Sequence, residues 1–451
     1  MSRTFSMLLA AFAALSLASH GKPAEPRWKV IERSDIGQVP SWFPVGFSLL
    51  THGDRQYVAF YNVSHQMTVA TRKLGETQWQ THELPTKVGW DSHNYVTMAI
   101  DSAGDLHLSG NMHCVPLIYF RTEKAGDITT LKQLPMTGQL EKRCTYPNFF
   151  RDANGRLLFQ YRDGGSGNGS QLYNVYDVAT KTWSRLLQTP LFDGQGQRNA
   201  YALGPVAGPD KLFHLVWVWR ETPDCATNHD LSYARSRDLI HWETAAGKPV
   251  SLPINLQTPG LIVDSVPVGG GIINGCQKLV FDAKHRPMIA YHKNDADGNM
   301  QLYVTRFEGG QWKRQALTQW NKPVEFSGGG TMPFIGVSLT PPQPFGDNGW
   351  TLRFRHKDYG SGLIGFRNDT LQPVKATPAL HRPDYPAGAL RAEVEFDEIG
   401  IQQAGDLGQS GDAKVKYLLV WETLPPCRDR QRTPPLPKPS TLRLLKLGLN
   451  E

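Results

Sequence analysis

The chain has 451 residues, of which 40% are hydrophobic and 20% charged, as expected for a globular protein with a core large enough to need no disulfide framework. Its 43 Gly, 32 Pro and many aromatic residues favour an all-β architecture. The net charge of +7 suits an acidic polymer as partner but is too small to identify one. The sequence has no basic run and no phosphate-binding loop, which argues against a nucleic-acid partner.

The N-terminus has the pattern of a secretory signal peptide. Arg3 precedes the apolar run Met7–Ala18, and small and polar residues follow as far as Gly21. The run is short for a membrane-spanning helix, and no other stretch is long and apolar enough to be one. We therefore expect residues 1–21 to be cleaved rather than kept as an anchor. Residues 25–451 would then be a secreted or periplasmic protein without membrane contact.

A short unit recurs along the chain: an apolar segment, an Asp-x-x-Gly-like turn, and a second segment of alternating apolar residues. The turn and second segment stand at Asp101–Asn111, Asp152–Arg162 and Asp282–Lys293, with a variant at Ala207–Arg220. Each copy predicts a β-hairpin, that is, two antiparallel strands joined by a tight turn. No long stretch has the 3.6-residue periodicity of a helix.

A tryptophan within a polar strand also recurs, at intervals of 104, 59 and 70 residues. The four residues are Trp79, Trp183, Trp242 and Trp312. A period of about 50 to 60 residues is typical of propeller blades, with the longest interval covering two blades, and gives seven or eight units. We predict an all-β fold: a single seven-bladed β-propeller of four-stranded antiparallel blades over residues 25–451. The proline-rich tail from Pro434 is either an extended arm or a last strand.

The densest group of chemically active residues lies in the first of these hairpins. His93 precedes one predicted strand and His113 follows the next, so a hairpin would bring both to the same rim of a blade. Asn94 and Asn111 flank them and are candidates for hydrogen bonds to sugar hydroxyls. His107 alternates with leucines and lies within a strand. The alternative for all three histidines is a structural or surface role.

The next hairpin repeats this geometry, with Tyr146 before its first strand and Arg162 at the end of its second. Equivalent rim positions of adjacent blades lie side by side, so the histidine pair, Tyr146 and Arg162 could converge on one groove. The alternative is that Tyr146 packs on Pro147 and that Arg162 pairs with Asp163. Arg220 occupies the corresponding position of a later hairpin, where it would bind a second uronate or a sulfate.

These side chains fit β-elimination better than hydrolysis. His and Tyr exchange protons, and Arg binds a carboxylate through two parallel hydrogen bonds. Arg162 beside a uronate carboxylate would stabilise the enolate formed when a base removes the C5 proton, while an acid supports departure of the C4 oxygen. Glycoside hydrolysis usually needs a pair of carboxylates, and none stands out in the two clusters. The residues thus predict a lyase that acts on an acidic polysaccharide.

The two clusters also resemble a known family. The motifs HN…DxxGxLHxSGNMHxxPLxYFR, from His93, and TYPxF…GxLxFxYRxGxSGxG, from Thr145, are similar to those of BNR-repeat propellers that include the ulvan lyases of polysaccharide lyase families twenty-four and twenty-five. The similarity runs from about residue 85 to 320. It implies a seven-bladed propeller that cleaves a sulfated rhamnose–uronate polymer.

The resemblance further implies roles for four residues. His93 and His113 match the catalytic histidines of the family, Tyr146 its catalytic tyrosine, and Arg162 the arginine that neutralises the carboxylate. The base would be His113 or His93 and the acid Tyr146, unless Tyr146 performs both proton transfers.

Two cysteines and two histidines form a third constellation. Cys225 and His229 have a Cys-x3-His spacing, and Cys276 is followed sixteen residues later by His292. Two Cys and two His fill the four positions of a tetrahedral zinc ion, which predicts a structural site between neighbouring blades. A Cys225–Cys276 disulfide is the alternative in an exported protein. The family resemblance also implies a structural zinc ion.

A uronate-polymer lyase that acts as a monomer and without a catalytic cofactor is therefore the first hypothesis. Two alternatives belong to other classes: a non-catalytic carbohydrate-binding propeller, and a sialidase-like glycoside hydrolase. A sialidase would need an arginine triad and a Tyr–Glu nucleophile pair, which the sequence does not place.

Overall fold

The computed structural model describes residues 27–375, 384–386, 388–408 and 411–450. The predicted signal peptide, residues 1–21, lies outside the described residues. Within the described ranges the strands pair in antiparallel ladders, and the helical content is limited to two short 3-10 turns. The predicted all-β fold class is confirmed. No helix in these ranges has the length and apolarity needed to cross a membrane.

The strands have the following bounds. The strands up to residue 193 are β1 (Trp28–Val39), β2 (Ser48–His52), β3 (Arg55–Tyr61), β4 (Gln66–Lys73), β5 (Gln80–Lys87), β6 (Val96–Ile100), β7 (Leu106–Gly110), β8 (His113–Val115), β9 (Tyr119–Thr122), β10 (Leu131–Gln133), β11 (Cys144–Arg151), β12 (Leu157–Asp163), β13 (Ser170–Asp177), β14 (Thr182–Arg185) and β15 (Phe192–Asp193). The later strands are β16 (Asn199–Ala207), β17 (Phe213–Arg220), β18 (Asn228–Ser236), β19 (Trp242–Glu243), β20 (Pro249–Val250), β21 (Ile262–Asp264), β22 (Lys278–Phe281), β23 (Pro287–Asn294), β24 (Met300–Glu308), β25 (Gln311–Ala316), β26 (Val337–Leu339), β27 (Gln343–Phe345), β28 (Gly349–His356), β29 (Gly360–Arg367), β30 (Pro373–Val374), β31 (Gly400–Gly405), β32 (Val415–Thr423) and β33 (Ser440–Leu449). The 3-10 turns are Ile128–Thr130 and Cys225–Thr227.

The described strands form seven sheets. Six of them comprise β2 to β5; β6, β7, β9 and β10; β8 with β11 to β15; β16 to β21; β22 to β25; and β26 to β30. The seventh joins the two ends of the described chain, in the order β1-β33-β32-β31. Its β1–β33 ladder runs from the pair Trp28 and Leu449 to the pair Val39 and Ser440. The proline-rich tail therefore ends in a strand rather than in an extended arm.

The Asp-x-x-Gly turns form the hairpins that the sequence predicts. Between β6 and β7, Asp101 Oδ1 accepts hydrogen bonds from the backbone N–H groups two and four residues ahead, both at 2.9 Å. Gly104 completes that turn with a φ of +85°, where a side chain would be strained. Asp152 and Asp282 accept the same pair of bonds in the β11–β12 and β22–β23 turns. Each carboxylate thus fixes a turn, and the turn fixes the strand register.

The recurrent tryptophans mark the fourth strands of the sheets. Trp183, Trp242 and Trp312 lie in β14, β19 and β25, and Trp79 immediately precedes β5. The interval of 104 residues between Trp79 and Trp183 contains the sheet of β6, β7, β9 and β10. This agrees with the expectation that the longest interval covers two repeat units.

The core lies between neighbouring sheets. One apolar cluster joins the first two sheets to the seventh, and in it Leu49, Met98 and Leu419 are at most 2% exposed. Burying side chains of this size stabilises the fold by about 1.5–3 kcal/mol each. These contacts hold the hairpin ends in place, and the candidate site is built on those ends.

Candidate active site

A cavity of about 690 Å³ brings together three of the four predicted catalytic residues. His93, His113 and Tyr146 line it, together with Arg220. Arg162 lines an adjoining cavity of about 390 Å³. The residues that line both cavities are Tyr146, Tyr201, Asn274 and Gly275. The two rim pairs predicted from consecutive hairpins therefore lie around one continuous space.

One carboxylate joins the two histidines. Asp91 Oδ1 accepts a hydrogen bond from Nδ1 of His93 at 2.7 Å, and Asp91 Oδ2 accepts one from Nδ1 of His113. The ring centroids of the two imidazoles are 4.3 Å apart. One ligand atom each of Asp91, His93 and His113 lies within 4.8 Å of the other two, and the two bonds engage both oxygens of Asp91 and both Nδ1 atoms. Neither Nε2 atom has a hydrogen-bond partner among the described residues, so both are available to a substrate.

A second carboxylate reaches His93 from the far end of the chain. Asp429 Oδ2 lies 3.3 Å from Nδ1 of His93. Asp429 is fixed by Ser92, whose Oγ donates to it at 2.8 Å, and by the backbone N–H of Thr331 at 2.9 Å. The segment that carries Asp429 follows β32 in the seventh sheet, so closing the chain ends into one sheet completes the histidine cluster.

The charges of this cluster favour a protonated His93. Burial alone would lower the pKa of His93, but hydrogen bonds to Asp429 and Asp91 outweigh it and raise the pKa to about 9. Burial also acts to raise the pKa of both carboxyls. The bonded imidazoles override it, lowering the pKa of Asp429 to about 2 and that of Asp91 well below its usual range. At neutral pH both carboxylates are ionised and His93 is a cation.

Tyr146 lies inside β11 at a bulge, and not before the strand as the sequence suggested. The register of the β11–β12 ladder shifts between Thr145 and Asn148, and Tyr146 has a φ of +59°, uncommon for a residue with a side chain. Its ring centroid lies 5.9 Å from that of His93 and 4.9 Å from the guanidinium carbon of Arg162. Burial raises the pKa of Tyr146 well above its usual value, so the phenol is neutral and able to donate a proton.

Arg162 and Arg220 are buried cations without a carboxylate partner. Arg162, 4% exposed, donates to the Gly164 carbonyl at 2.9 Å and to Thr145 Oγ1 at 3.2 Å. Arg220, 8% exposed, donates from Nε to a backbone carbonyl at 3.0 Å. Over the described ranges, no Asp or Glu oxygen lies within 4.0 Å of either guanidinium. Both lie beside the ring of Tyr201, 5.9 and 5.4 Å from its centroid. Because a buried unpaired charge is costly, this pair favours an anionic ligand.

Other predicted contacts lie outside the cavity lining. Asp163 pairs with Arg143 at 3.6 Å and not with the arginine beside it in sequence. Asn111 Nδ2 donates to a hydroxyl of β5 at 2.7 Å, and neither Asn111 nor Asn94 lines either cavity. Their role as sugar ligands stays a prediction.

Three of the four residues predicted to hold zinc share a cavity, but no three of the four have ligand atoms within 4.8 Å of one another. Cys225, Cys276 and His292 line the larger cavity, and all five cysteines of the chain are unpaired. His292 Nδ1 donates to a backbone carbonyl at 2.9 Å, and burial lowers the pKa of His292 to about 4, so its Nε2 is unprotonated as a metal ligand requires. Each ring nitrogen of His229 lies beside a carboxylate oxygen. Nε2 is 2.8 Å from the carboxylate of Glu221, and Nδ1 is 3.0 Å from the carboxylate of the next residue.

Comparison with known proteins places the chain in a family. A model of the BNR repeat-containing family matches residues 55–320, more than half of the chain. The chain belongs to this family. The resemblance that the hairpin motifs predicted is thereby confirmed.

Curated relatives of this BNR-repeat protein match over short segments. A segment of 58 residues, 12% of the chain, is 47% identical to the long isoform of an ulvan lyase from Pseudoalteromonas sp. (strain PLSV). A segment of 78 residues, 16% of the chain, is 36% identical to the short isoform of an ulvan lyase from Alteromonas sp. (strain LOR). The matched segments span 6% and 15% of the lengths of those two relatives.

Solved structures match over most of the chain. The polysaccharide lyase Uly1 has a TM-score of 0.61 at 13% identity, over 93% of this chain and 99% of its own. A PL25 ulvan lyase, solved alone and bound to -[GlcA(1-4)Rha3S]-, has a TM-score of 0.54 at 13% identity, over 86% of this chain and 92% of its own. The BNR-repeat protein therefore shares their fold.

Three residues of the site were missed by sequence reasoning. Asp91 stands two residues before His93. An Asp side chain often accepts a hydrogen bond from the backbone N–H two residues ahead, and this spacing was the signal that could have found it. Tyr201, in β16, gave no signal beyond its residue type. Asp429 contacts Ser92 across 337 residues of sequence, a separation at which no local pattern exists.

Proposed function

We propose that this BNR-repeat protein is an exported lyase that cleaves a uronic-acid-containing polysaccharide by β-elimination. The observation that carries the proposal is the pair of buried, unpaired guanidinium groups of Arg162 and Arg220, beside a neutral phenol and two imidazoles that face the same space. We propose further that the seven sheets are the blades of one propeller over residues 25–451, and that it acts as a monomer in the periplasm or medium.

The reaction needs an anion site, a base and an acid. Arg162 binds the uronate carboxylate through parallel hydrogen bonds and stabilises the enolate that forms on it. The base takes the proton from C5, and the electron pair of that bond forms the C4–C5 double bond. The C4–O bond breaks, and the acid protonates the departing oxygen of the next sugar. Arg220, across Tyr201, binds a second uronate or a sulfate.

The proton-transfer roles follow from which groups reach the cleft. One of the two histidines, His93 or His113, is the base, because each presents an Nε2 without a partner in the described chain. Tyr146 is the acid, because its neutral phenol lies between the histidines and Arg162. A hydrolase is disfavoured, since neither cavity has an Asp or Glu among its described lining residues.

The relatives support the substrate class. Segments of the chain are similar to ulvan lyases, and one protein of the same fold was solved with a chain of glucuronate and sulfated rhamnose. We therefore propose an ulvan-like, sulfated uronate polymer as substrate. The positive net charge of +7 suits such a polyanion.

The test is an assay on the exported protein with ulvan and a panel of other uronate polymers, following ultraviolet absorbance of the unsaturated uronate. We expect absorbance to rise with at least one polymer, and Arg162→Ala and Tyr146→Phe to lower the rate by roughly 10²–10³-fold or more. Unchanged melting temperatures would show that the variants are folded. Reducing ends without absorbance would establish a hydrolase, and binding without any cleavage would establish a carbohydrate-binding protein.

We also propose that Cys225, Cys276 and His292, with His229 as fourth ligand, hold a structural zinc ion. Three of the four donors line one cavity, but their ligand atoms do not lie within 4.8 Å of one another, so zinc binding would need these side chains to move together and His229 to give up its contact with Glu221. Zinc would supply a cross-link between the loop after β17 and the β22–β23 hairpin.

Elemental analysis of the purified protein checks the zinc site. We expect one zinc ion per chain, lost in His292→Ala. Loss in His229→Ala as well would establish four ligands, and retention would establish three protein ligands. No zinc in the wild type, together with a Cys225–Cys276 disulfide by mass spectrometry, would contradict the proposal.

A further inference from the structure

We propose that Asp91 and Asp429 are positioning residues that make the two cleft imidazoles unequal, so that His93 is a fixed cation and His113 is the base. This inference rests on the proposed elimination and assigns the proton transfer that the proposed function leaves open.

Asp91 orients both imidazoles and sets the tautomer of whichever is neutral. Each of its oxygens accepts the Nδ1 hydrogen of one histidine, and its Oδ1 also accepts the backbone N–H of His93 at 2.9 Å. With the proton held at Nδ1, a neutral imidazole has its lone pair at Nε2, on the cleft side. Asp91 itself does not line the cavity, so it acts through the histidines and not on the substrate.

Asp429 distinguishes the two rings. It lies 3.3 Å from Nδ1 of His93, and no ion pair joins it to His113 in the described chain. Two bonds from Ser92 and one from the backbone of Thr331 hold its carboxylate in place. His93 therefore faces two fixed negative charges, whereas His113 shares one.

The charge balance around His93 favours its cationic form. The titratable groups that face it are Asp91, Asp429, His113 and Tyr146, and of these the two carboxylates are ionised and the phenol is neutral. This agrees with a pKa for His93 of about 9. A second cation 4.3 Å away would be repelled, so the proton-accepting Nε2 belongs to His113. The His93 cation can then stabilise the enolate beside Arg162.

The experiment measures kcat and KM of the full chain on a cleaved uronate polymer from pH 5 to 10. The variants are Asp91→Asn, Asp91→Glu and Asp429→Asn. Asp238→Asn is the matched control, because Asp238 pairs with His241 at 2.7 Å on the surface, beyond the end of β18 that is remote from the cleft. Melting temperatures verify that each variant is folded.

We expect Asp91→Asn to lower kcat by roughly 10²–10⁴-fold with KM changed less than about threefold, because an amide can donate to Nδ1 and select the wrong tautomer. Asp91→Glu should restore part of this loss. Asp429→Asn removes one of the two charges that stabilise the His93 cation. Its alkaline limb of activity should therefore move to lower pH by about one unit or more. Asp238→Asn should match the wild type.

The outcomes separate this inference from the proposed function. A wild type that forms no unsaturated uronate on any polymer would overturn the proposed function itself. An active wild type with Asp91→Asn and Asp429→Asn at wild-type kcat and with an unmoved alkaline limb would overturn only the positioning roles. If Asp91→Asn does not fold, the pH profile of Asp429→Asn is the deciding measurement. An alkaline limb at the wild-type pH in that variant would contradict the proposal that the two histidines differ in charge.

Discussion

The β6–β7 hairpin carries two histidine–aspartate arrangements that differ in what their imidazoles can do. His107, within β7, is fully buried and uses both ring nitrogens, with the Tyr119 hydroxyl at 2.8 Å and Asp101 Oδ2 at 3.2 Å. His93 and His113, at the hairpin ends, contact carboxylates through Nδ1 alone. A histidine with both nitrogens engaged is a structural cross-link, whereas one with a nitrogen facing a cavity can exchange a proton with a ligand.

Burial and charge decide the opposite protonation of the two arrangements. Burial lowers the pKa of His107, and the hydrogen-bonded carboxylate of Asp101, with a weaker contribution from Asp105, does not reverse it. Burial acts in the same direction on His93, but two carboxylates raise the pKa to about 9. At His107 burial outweighs one hydrogen-bonded carboxylate, whereas at His93 two carboxylates beside Nδ1 outweigh burial.

The core arrangement is repeated in another sheet. His214, in β17, contacts the hydroxyl of Tyr233 at 2.6 Å and Asp210 at 2.9 Å, and burial lowers its pKa as well. The Asp–His–Tyr set thus behaves as a structural element of the repeat, which supports a structural role for His107.

The largest expected difference between the cleft and core histidines is the loss of turnover when the proposed base is removed. His113→Ala should lower kcat on the uronate polymer by roughly 10²–10⁴-fold, because general base catalysis is lost. The melting temperature should stay close to that of the wild type, since His113 is part-exposed at the cavity. Steady-state kinetics and thermal melting on the same sample check both. A variant with full activity would place the base elsewhere.

Removing the core histidine should lower stability and leave turnover unchanged. His107→Ala leaves a cavity and strands the buried carboxylate of Asp101, which we expect to cost about 2–4 kcal/mol of unfolding free energy. Activity per folded molecule should remain near the wild-type value. Denaturant titration gives the stability, and active-site-normalised kinetics gives the turnover. Loss of turnover without loss of stability would break the distinction between core and cleft.

The core arrangement could be foreseen from the sequence far better than the cleft cluster. The turn at Asp101 is encoded in five consecutive residues, because the carboxylate binds the backbone N–H groups that follow it. The same local chemistry fixes which residues end each hairpin, so the convergence of His93, His113 and Arg162 could be predicted once blades were assumed to be adjacent.

The rest of the cleft cluster depends on contacts that no local sequence pattern encodes. Asp429 reaches His93 because the first and last strands share a sheet, and the path of the loop after β32 cannot be read from its residues. The bulge that places Tyr146 follows from a register shift in the β11–β12 ladder and not from a turn motif. For the predicted zinc ligands, spacing gave the residue types but not the competing carboxylates at His229.

The smallest expected effect is a pH dependence of stability with opposite sign in the two arrangements. His93 has a pKa of about 9 when folded against about 6.5 when unfolded, so its stabilising contribution is present below pH 6.5 and lost as pH rises through 9. The shift corresponds to at most about 3 kcal/mol, and Asp429 supplies part of it, so we expect Asp429→Asn to change the alkaline loss by on the order of 1–2 kcal/mol. His107 has a lowered folded pKa, so its contribution is present above about pH 6.5 and lost as pH falls. Melting curves at pH 5, 7 and 9.5 should therefore show a reduced alkaline loss in Asp429→Asn and a reduced acid loss in His107→Ala, each relative to the wild type. Parallel curves for all three proteins would show that the two histidines do not differ in charge.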